Sequence, residues 1–366
     1  MKNYCSSGFS FSVLPPIKYG FAMSAMLLCL AWCLLSASVL ADDGRADGNL
    51  RERIKQRIAE RQESRQGDDN HSARSQAITV PGDYVRSLKH DGITRSYRIH
   101  VPPQYSAATP AALLLAFHGG GGDMDYMAKN EFYGLISKAD AEGFIVIFPN
   151  GYSKFRSGKF ATWNAGACCA DARDNNIDDV GFVRKILRQV SSELVIDKRR
   201  VFATGMSNGG MMSYRLACEM PSTFSAIAAV AGTDNTLTCT PALPVSILHI
   251  HAKNDDRVLF NGGAGDKFRD ESKVTDFTSV PATIAKWIDL NKCSGNSHPV
   301  LKKPGAYCEQ YSQCKGGTAV QLCVTETGGH SWPGGSKPRA DEPPSQALSA
   351  NDVMWDFFKS INSKAR

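Results

Sequence analysis

The sequence predicts an α/β fold in which a mostly parallel sheet carries helices on both faces. From residue 111 onwards, short apolar segments alternate with longer segments of helical periodicity. Wholly apolar segments are typical of strands that are buried on both faces, as parallel strands are. Several of these segments run directly into glycine-rich loops. In such sheets functional residues lie in loops beyond the carboxyl ends of the strands, so we expect the chemistry there.

The predicted elements follow one another in a regular order. Residues 84–102 predict two strands joined at Asp91-Gly92, because Asp-Gly between strand-like runs is a hairpin signal. Asp178 or Asp179 is expected near a helix start, where an acidic residue can cap free backbone N–H groups. Buried strands are expected within 111–120, 143–151, 199–207, 225–232 and 244–252. Helices are expected within 125–143, 177–196, 208–220 and 352–361, and another hairpin within 307–327.

Composition bounds the kind of protein. The chain has 366 residues, of which 42% are hydrophobic and 21% are charged, and these values exclude collagen-like, coiled-coil and wholly disordered proteins. The net charge of +6 is small and scattered, so we expect no nucleic-acid partner. We expect three segments: a signal peptide over residues 1–41, a charged flexible linker over 42–81 and one folded domain over 82–366.

The N-terminal segment contains a long apolar run over residues 21–41. The run ends in small residues up to Ala41, which is typical of a signal peptide cleaved near that position. Cleavage would leave a secreted or periplasmic protein with no stable membrane insertion. The alternative is an uncleaved N-terminal anchor, since about 20 apolar residues can span a bilayer.

Eight cysteines remain beyond residue 41. An even number of cysteines in an oxidising compartment predicts disulfides. The first pairs that we expect are Cys218–Cys239 and Cys293–Cys314. Because no paired C-x-x-C spacing occurs, we expect no metal site.

The strongest motif is the G-x-S-x-G sequence over residues 205–209. It follows a predicted strand and opens a predicted helix, as a nucleophile elbow requires. In such an elbow the turn is so tight that its flanking residues must be glycine, and the serine is raised above the sheet. Ser207 is therefore the candidate nucleophile. The alternative is an N-capping serine on a glycine-rich turn.

A serine nucleophile needs a histidine base and a carboxylate that orients the base. In folds with this elbow the chain order is serine, acid, histidine. Asp255 follows a predicted strand and is the candidate acid, with Asp256 as the reserve, and His330 lies in the glycine-rich GGHSWPGG loop. His249 and His251 lie on a buried strand and are interpreted as structural.

A third requirement is an oxyanion hole for the tetrahedral intermediate. The segment FHGGGG over residues 117–122 ends a predicted strand, where such glycine motifs present a free backbone N–H. We expect the N–H of Gly120 or Gly121 as one donor and the N–H of Asn208 as the other. Such a donor contributes about 3 kcal/mol in the transition state. His118 is expected to shape this loop through hydrogen bonds.

Together these motifs resemble a known group of secreted esterases, the polyhydroxybutyrate depolymerases and the feruloyl and acetylxylan esterases. The resemblance covers roughly residues 82–362. It rests on HGGGG at 118–122, ATWNAG at 161–166 with the two cysteines that follow, DDVGF at 178–182, GMSNGG at 205–210, NGG at 261–263 and GGHSWPGG at 328–335. The acid loop departs from the family's usual His-Gly-x-x-Asp, because Ala252 replaces the glycine and the acid is doubled.

The resemblance implies an α/β-hydrolase fold and a serine esterase that forms an acyl-enzyme and needs no cofactor. It implies a triad of Ser207, Asp255 and His330, the residues chosen above. Trp163 and Trp332 lie on glycine-rich loops near the motifs. We expect both to line the acyl or alcohol site, with rim packing as the alternative.

The substrates implied are polyester oligomers of the polyhydroxybutyrate type or feruloyl and acetyl esters of plant polysaccharides. Polymer depolymerases commonly append a linker and a binding module, whereas this sequence ends soon after its last predicted helix. We therefore expect soluble oligomers or plant-wall esters rather than crystalline polyester. Two alternatives have the same fold: a peptidase, and a non-catalytic binding protein that would have lost a triad residue.

Overall fold

A computed structural model describes residues 77–268, 270–337 and 342–361. The predicted signal peptide over 1–41 and most of the predicted linker over 42–81 lie outside these residues. Ile78, within the predicted linker, belongs to the folded domain: its side chain is 4% exposed and its N–H donates to the Glu193 carbonyl at 2.8 Å. Among the described residues, no helix is long and apolar enough to cross a membrane.

The described residues form one ten-stranded sheet with the order β1-β2-β4-β3-β5-β6-β7-β10-β9-β8. Six central strands, from β4 to β10 in that order, run parallel, and an antiparallel pair flanks them on each side. The strands are β1 Gly82–His90, β2 Ile93–Val101, β3 Ala111–Phe117, β4 Ile145–Pro149, β5 Ile196–Met206, β6 Ala226–Val230, β7 Ser246–Ala252, β8 His298–Lys303, β9 Ala306–Tyr311 and β10 Val320–Thr325.

The helices lie on both faces of this sheet. In β3, Leu113 and Leu115 join one buried cluster while Leu114 joins the other, because successive side chains of a strand point to opposite faces. The predicted mostly parallel sheet with helices on both faces is confirmed. The helices are α1 Met124–Met127, α2 Asn130–Tyr133, α3 Leu135–Glu142, α4 Ala170–Asp174, α5 Asp179–Glu193, α6 Asn208–Glu219, α7 Val280–Leu290 and α8 Ala350–Ser360.

Each face has its own helices. The α5, α6 and α7 helices contribute Phe182, Tyr214 and Trp287 to the first cluster. The α8 helix contributes Trp355 and Phe358 to the second. All five aromatic side chains are nearly or fully buried. Burying such a side chain stabilises the fold by about 2–3 kcal/mol, so both helical layers are anchored to the central strands.

Several elements differ from the sequence prediction, among them helices α4 and α7, which were not predicted. The single helix expected within 125–143 is three short helices. The extended backbone of Lys129 separates α1 from α2, and Gly134, in a left-handed conformation with φ 64°, ends α2 before α3 begins. The edge strand β8 was not predicted. Its side chains are mostly exposed, so the segment lacks the apolar alternation by which a strand is recognised.

All eight cysteines beyond residue 41 are paired in disulfides. The two predicted pairs, Cys218–Cys239 and Cys293–Cys314, are present. A third disulfide joins Cys308 to Cys323, which are direct partners in the antiparallel pair of β9 and β10. The fourth joins the adjacent Cys168 and Cys169. The first three disulfides therefore cross-link the part of the chain that runs from the end of helix α6 to strand β10.

Candidate active site

The sharpest backbone turn of the site lies at Ser207, between β5 and α6. Its φ of 55° and ψ of −122° are rare for a residue with a side chain, and such conformations are strained. The Ser207 N–H donates to the Val230 carbonyl at 2.8 Å, and its carbonyl accepts from the Met211 N–H at 3.0 Å. A strand, one strained residue and a helix in immediate succession are the geometry of a nucleophile elbow.

Gly205 and Gly209 are required by contacts across this turn. A Cβ on Gly205 would lie 2.8 Å from the Phe117 carbonyl oxygen, and a Cβ on Gly209 would overlap the same oxygen. Neither contact can be relieved by a side-chain rotation, because the obstructing atom is backbone. The G-x-S-x-G pattern is therefore a steric requirement of bringing β3, β5 and α6 together.

A buried histidine holds the glycine loop after β3 in place. The Nδ1–H of His118 donates to the Gly119 carbonyl at 2.8 Å, and its Nε2 accepts from the Gly151 N–H at 2.9 Å. Only a neutral imidazole can serve both partners. Burial lowers the pKa of His118 from 6.5 to about 4, so this neutral form is retained. The loop-shaping role predicted for His118 agrees with these contacts.

The two expected oxyanion glycines differ in their hydrogen bonds. The Gly121 N–H donates to the Ala161 carbonyl at 2.8 Å, so it is not free for a substrate. Among the described residues, the N–H groups of Gly120 and Asn208 have no protein acceptor. A Cβ on Gly120 would lie 3.6 Å from the Asn208 Cβ, so the two residues are neighbours. The expectation of Gly121 as an alternative donor is therefore corrected in favour of Gly120.

Trp163 does not line the cavity that contains Ser207, contrary to the expectation that it would line the acyl or alcohol site. Its side chain is fully buried, and its indole N–H donates to the His118 carbonyl at 2.9 Å. The Trp163 N–H donates to Asn208 Oδ1 at 2.7 Å, and Asn208 Nδ2 donates to the Trp163 carbonyl at 3.0 Å. These bonds fix the Asn208 side chain against Trp163, and the backbone N–H of Asn208 is the donor considered for an oxyanion. Trp163 thus braces both loops of the candidate hole.

The candidate acid and base are in direct contact. His330 Nδ1 lies 3.0 Å from Asp255 Oδ1 and 2.9 Å from Oδ2. Asp255 is 3% exposed, whereas Asp256 is exposed to solvent, so the structure places the first of the two aspartates against the histidine. This contact leaves Nε2 of His330 for Ser207, and both residues line one cavity. Among the described residues, Ser207 Oγ makes no hydrogen bond.

Several contacts stabilise the negative charge of the Asp255 carboxylate. Although burial opposes ionisation, the nearby His330 and hydrogen bonds from His251 and His330 hold the pKa of Asp255 below its ordinary value. Its Oδ1 also accepts from the N–H groups of Arg257 and Val258, at 2.9 and 3.0 Å. These contacts therefore favour the ionised carboxylate and fix its position.

Two residues that sequence reasoning missed position the His330 loop. The Gly329 N–H donates to Asn254 Oδ1 at 3.0 Å, and the Gly328 N–H donates to Glu342 Oε1 at 2.9 Å. Asn254 Nδ2 in turn donates to Glu342 Oε2 at 2.7 Å. Asn254 directly precedes the acid, which is a signal that could have been followed. Glu342 has no sequence signal, because its position depends on the course of the intervening loop.

The cavity above Ser207 has a volume of about 580 Å³. Trp332 lines it, with its ring edge-to-face on Tyr133 at a centroid distance of 5.6 Å. Its indole N–H donates to Asn351 Oδ1 at 3.2 Å, which fixes the ring. The remaining apolar and charged lining includes Tyr126, Met206, Met211, Phe268, Phe277, Asp123, Arg257, Lys273 and Lys337. An aromatic wall with several cations suits an uncharged or anionic ester better than a cationic one.

The parallel sheet, the elbow and an acid and a histidine on later loops define an α/β-hydrolase. In agreement, the sequence profile of the prolyl oligopeptidase family matches residues 131–243. The solved acetyl xylan esterase from Aspergillus awamori superimposes with a TM-score of 0.51 at 13% identity, over 75% of this chain and 99% of that one. At that identity the likeness concerns the fold alone.

Sequence comparison gives the family. The chain is 31% identical over 214 residues to feruloyl esterase C of Emericella nidulans, which covers 56% of this chain and 73% of that protein. It is 30% identical over 277 residues to feruloyl esterase B of Piromyces equi, which covers 73% of this chain. The chain belongs to the α/β-hydrolase family of feruloyl and acetylxylan esterases. It spans 45% of the length of the Piromyces protein, less than half.

Proposed function

We propose that this protein is an exported serine esterase whose catalytic triad is Ser207, Asp255 and His330. The observation that carries the proposal is the pairing of His330 with Asp255 in the cavity that also contains the strained Ser207. Export is supported by the disulfides of the described domain, since such bonds persist in oxidising compartments. The domain over 82–366 is proposed to be the catalytic one.

The proposed reaction has two steps. His330 Nε2 takes the proton of Ser207 Oγ as the oxygen attacks the ester carbonyl, and Asp255 stabilises the imidazolium that forms. The N–H groups of Gly120 and Asn208 stabilise the oxyanion, and collapse of the intermediate releases the alcohol with the proton from His330. Water then attacks the acyl-enzyme, with His330 again as the base, and the acid is released. The step uses only these side chains and backbone groups, so the proposal includes no cofactor.

We propose feruloyl or acetyl esters of plant polysaccharide as the substrate class. The names of the relatives, feruloyl esterases and a bifunctional acetylxylan esterase/xylanase, support it. The aromatic wall formed by Tyr133 and Trp332 is suited to an apolar acyl group, with Trp332 as a substrate-binding residue. Oligomers of the polyhydroxybutyrate type are the alternative, and a peptidase is a third, since the matched family profile is that of prolyl oligopeptidases.

A substrate panel tests the proposal. Purified protein would be assayed with methyl ferulate, acetylated xylan, polyhydroxybutyrate oligomers and a prolyl peptide anilide. We expect turnover of the first two above the others, and loss of all turnover in Ser207→Ala. Ser222→Ala is the matched control, because Ser222 is exposed and remote in the chain from the three motifs. Full activity of Ser207→Ala would contradict the proposal, and preferential cleavage of the oligomers or the anilide would reassign the substrate.

A further inference from the structure

We propose that Tyr214, His249 and His251 are positioning residues for Asp255, linked to it by a buried, ordered chain of hydrogen bonds. The inference rests on the proposed role of Asp255 as the acid of the triad. It assigns a function to two histidines that the sequence indicated only as structural. None of the three is proposed to touch the substrate.

The chain runs from helix α6 through strand β7 to the acid loop. Tyr214 Oη lies 2.8 Å from His249 Nδ1, and His249 Nε2 lies 3.0 Å from His251 Nδ1. His251 Nε2 lies 2.8 Å from the Val258 carbonyl and 3.2 Å from Asp255 Oδ2. The two histidines are two residues apart in a strand, so both rings point to one face, and they stack at 5.2 Å. No link is more than 3% exposed.

The acceptors at one end, together with the neutral His251 of the proposal, fix where each proton lies. The Val258 carbonyl and the Asp255 carboxylate can only accept, so His251 must carry its proton on Nε2. In the proposed chain His251 is neutral, so its Nδ1 is bare and His249 donates to it from its own Nε2. His249 Nδ1 is therefore bare as well and accepts the hydroxyl proton of Tyr214. Burial lowers the pKa of His249 well below its ordinary value, so its ring stays neutral.

This order has a consequence for the acid. The backbone N–H groups of Arg257 and Val258 donate to Oδ1 of Asp255, and the Nε2–H of His251 faces Oδ2 at 3.2 Å. If the ring of His251 carried its proton on Nδ1, a lone pair would face the carboxylate across 3.2 Å. The hydroxyl of Tyr214 and the ring of His249 oppose that inversion, because it would leave buried groups without partners.

A neutral donor also suits the chemistry better than a cation would. Asp255 must stabilise the imidazolium that forms at His330, and a permanent positive charge at residue 251 would compete for the same carboxylate. An uncharged N–H fixes the carboxylate while leaving most of its charge for His330. Among the described residues, the charged groups near His330 include Lys337, whose Nζ donates to the His330 carbonyl at 2.6 Å, Arg257, which lines the same cavity, and Glu342 on the adjoining loop.

Three variants test the chain by steady-state kinetics on the exported domain. His251→Leu removes the donor, and we expect kcat to fall about 10-fold to 100-fold with KM nearly unchanged, because a misplaced catalytic group costs that much. His251→Gln retains an N–H near the position of Nε2, and we expect it to recover most of the loss. Tyr214→Phe removes the hydroxyl group at the far end of the hydrogen-bond chain, and we expect kcat to fall about threefold to tenfold. His298→Leu, at an exposed histidine, is the control.

Two further readouts separate positioning from a general structural effect. In His251→Leu the acid limb of the kcat/KM profile should move to higher pH, because a carboxylate that accepts one bond fewer holds the proton of the catalytic imidazole more tightly. Nitrogen-15 NMR of the unmodified protein should show the Nε2–H tautomer at both His249 and His251. The NMR measurement does not depend on enzymatic activity. It therefore tests the hydrogen-bond chain even if Ser207→Ala and Asp255→Asn were to disprove the esterase proposal.

Several outcomes would overturn the inference. These are an Nδ1–H tautomer at His251, wild-type kcat and pH profile in a folded His251→Leu, or a His251→Gln variant as impaired as His251→Leu at equal thermal stability. If His251→Leu fails to fold, the decision passes to Tyr214→Phe and to the tautomers. Unchanged kinetics in Tyr214→Phe together with a reversed tautomer at His249 would then reject the chain.

Discussion

Replacement of Asp255 by asparagine tests the acid and the hydrogen-bond order around it in one experiment. The amide oxygen of the substituted side chain would take the place of Oδ1, which accepts from two backbone N–H groups. The amide NH2 would then face His251 Nε2–H and His330 Nδ1–H, both of which donate to the carboxylate in the native protein. Donors would face donors at both contacts.

The magnitude follows from the bonds lost. A hydrogen bond to a charged group contributes about 1.5–3 kcal/mol, and two such bonds to Asp255 are replaced by repulsive contacts. His330 can relieve its contact only by moving its proton to Nε2, and that tautomer cannot accept the proton of Ser207. We therefore expect a loss of about 4–5.5 kcal/mol in transition-state stabilisation, which corresponds to about 10³- to 10⁴-fold in kcat.

The matched control is Asp256→Asn, which makes the same chemical change on the neighbouring, exposed carboxylate. We expect it to change kcat less than about threefold, because an exposed charge contributes little. The assay is hydrolysis of a p-nitrophenyl acyl ester at about pH 8, well above the ordinary pKa of a histidine, with circular dichroism melts to show that both variants are folded. A large loss in Asp256→Asn with an active Asp255→Asn would refute the assignment of the acid.

Three further predictions concern the fold around the site. Between pH 6.5 and about 4 the unfolded chain protonates His118 while the folded chain does not. The contribution of His118 to the free energy of unfolding should therefore fall by about 3 kcal/mol as the pH is lowered through that range, and denaturant titrations should show that His118→Gln lacks this part of the slope. Gly209→Ala should cost more than about 2 kcal/mol, because the added Cβ overlaps the Phe117 carbonyl, whereas Gly120→Ala, with an ordinary contact, should melt like the native protein. Thiol titration of the denatured domain should find no free cysteine, and two or more free thiols would contradict the disulfide pairing.

Most of the central strands, the elbow, the base and two disulfides could be predicted from the sequence, because the signal for each is local. Parallel strands are recognisable because both of their faces are buried, so each reads as a short apolar run bounded by turns. The elbow is recognisable because its tight turn tolerates only glycine two residues before and two residues after Ser207, so the constraint is contained in five consecutive residues. His330 could be chosen because few histidines exist and only this one lies in a glycine-rich loop after the acid. The cysteine pairs 21 residues apart, such as Cys218–Cys239, were similarly accessible from spacing.

Other features were decided only by the tertiary structure, because they depend on which way a side chain points. Asp255 and Asp256 are chemically identical, and only the loop turns one inward and the other to solvent. Gly121 lost its candidate role because its N–H pairs with Ala161, in a segment remote along the chain. Trp163 proved to be a buried brace rather than a cavity wall.

The same reason explains the contacts that were missed altogether. Glu342 reaches the His330 loop across a stretch of chain whose course no local pattern describes. The link between Tyr214 and His249 joins a helix to a strand 35 residues apart, and each residue alone is an ordinary member of an apolar core. Periodicity and turn chemistry are properties of neighbours in sequence, whereas the direction of a hydrogen bond between distant elements exists only once those elements are packed together.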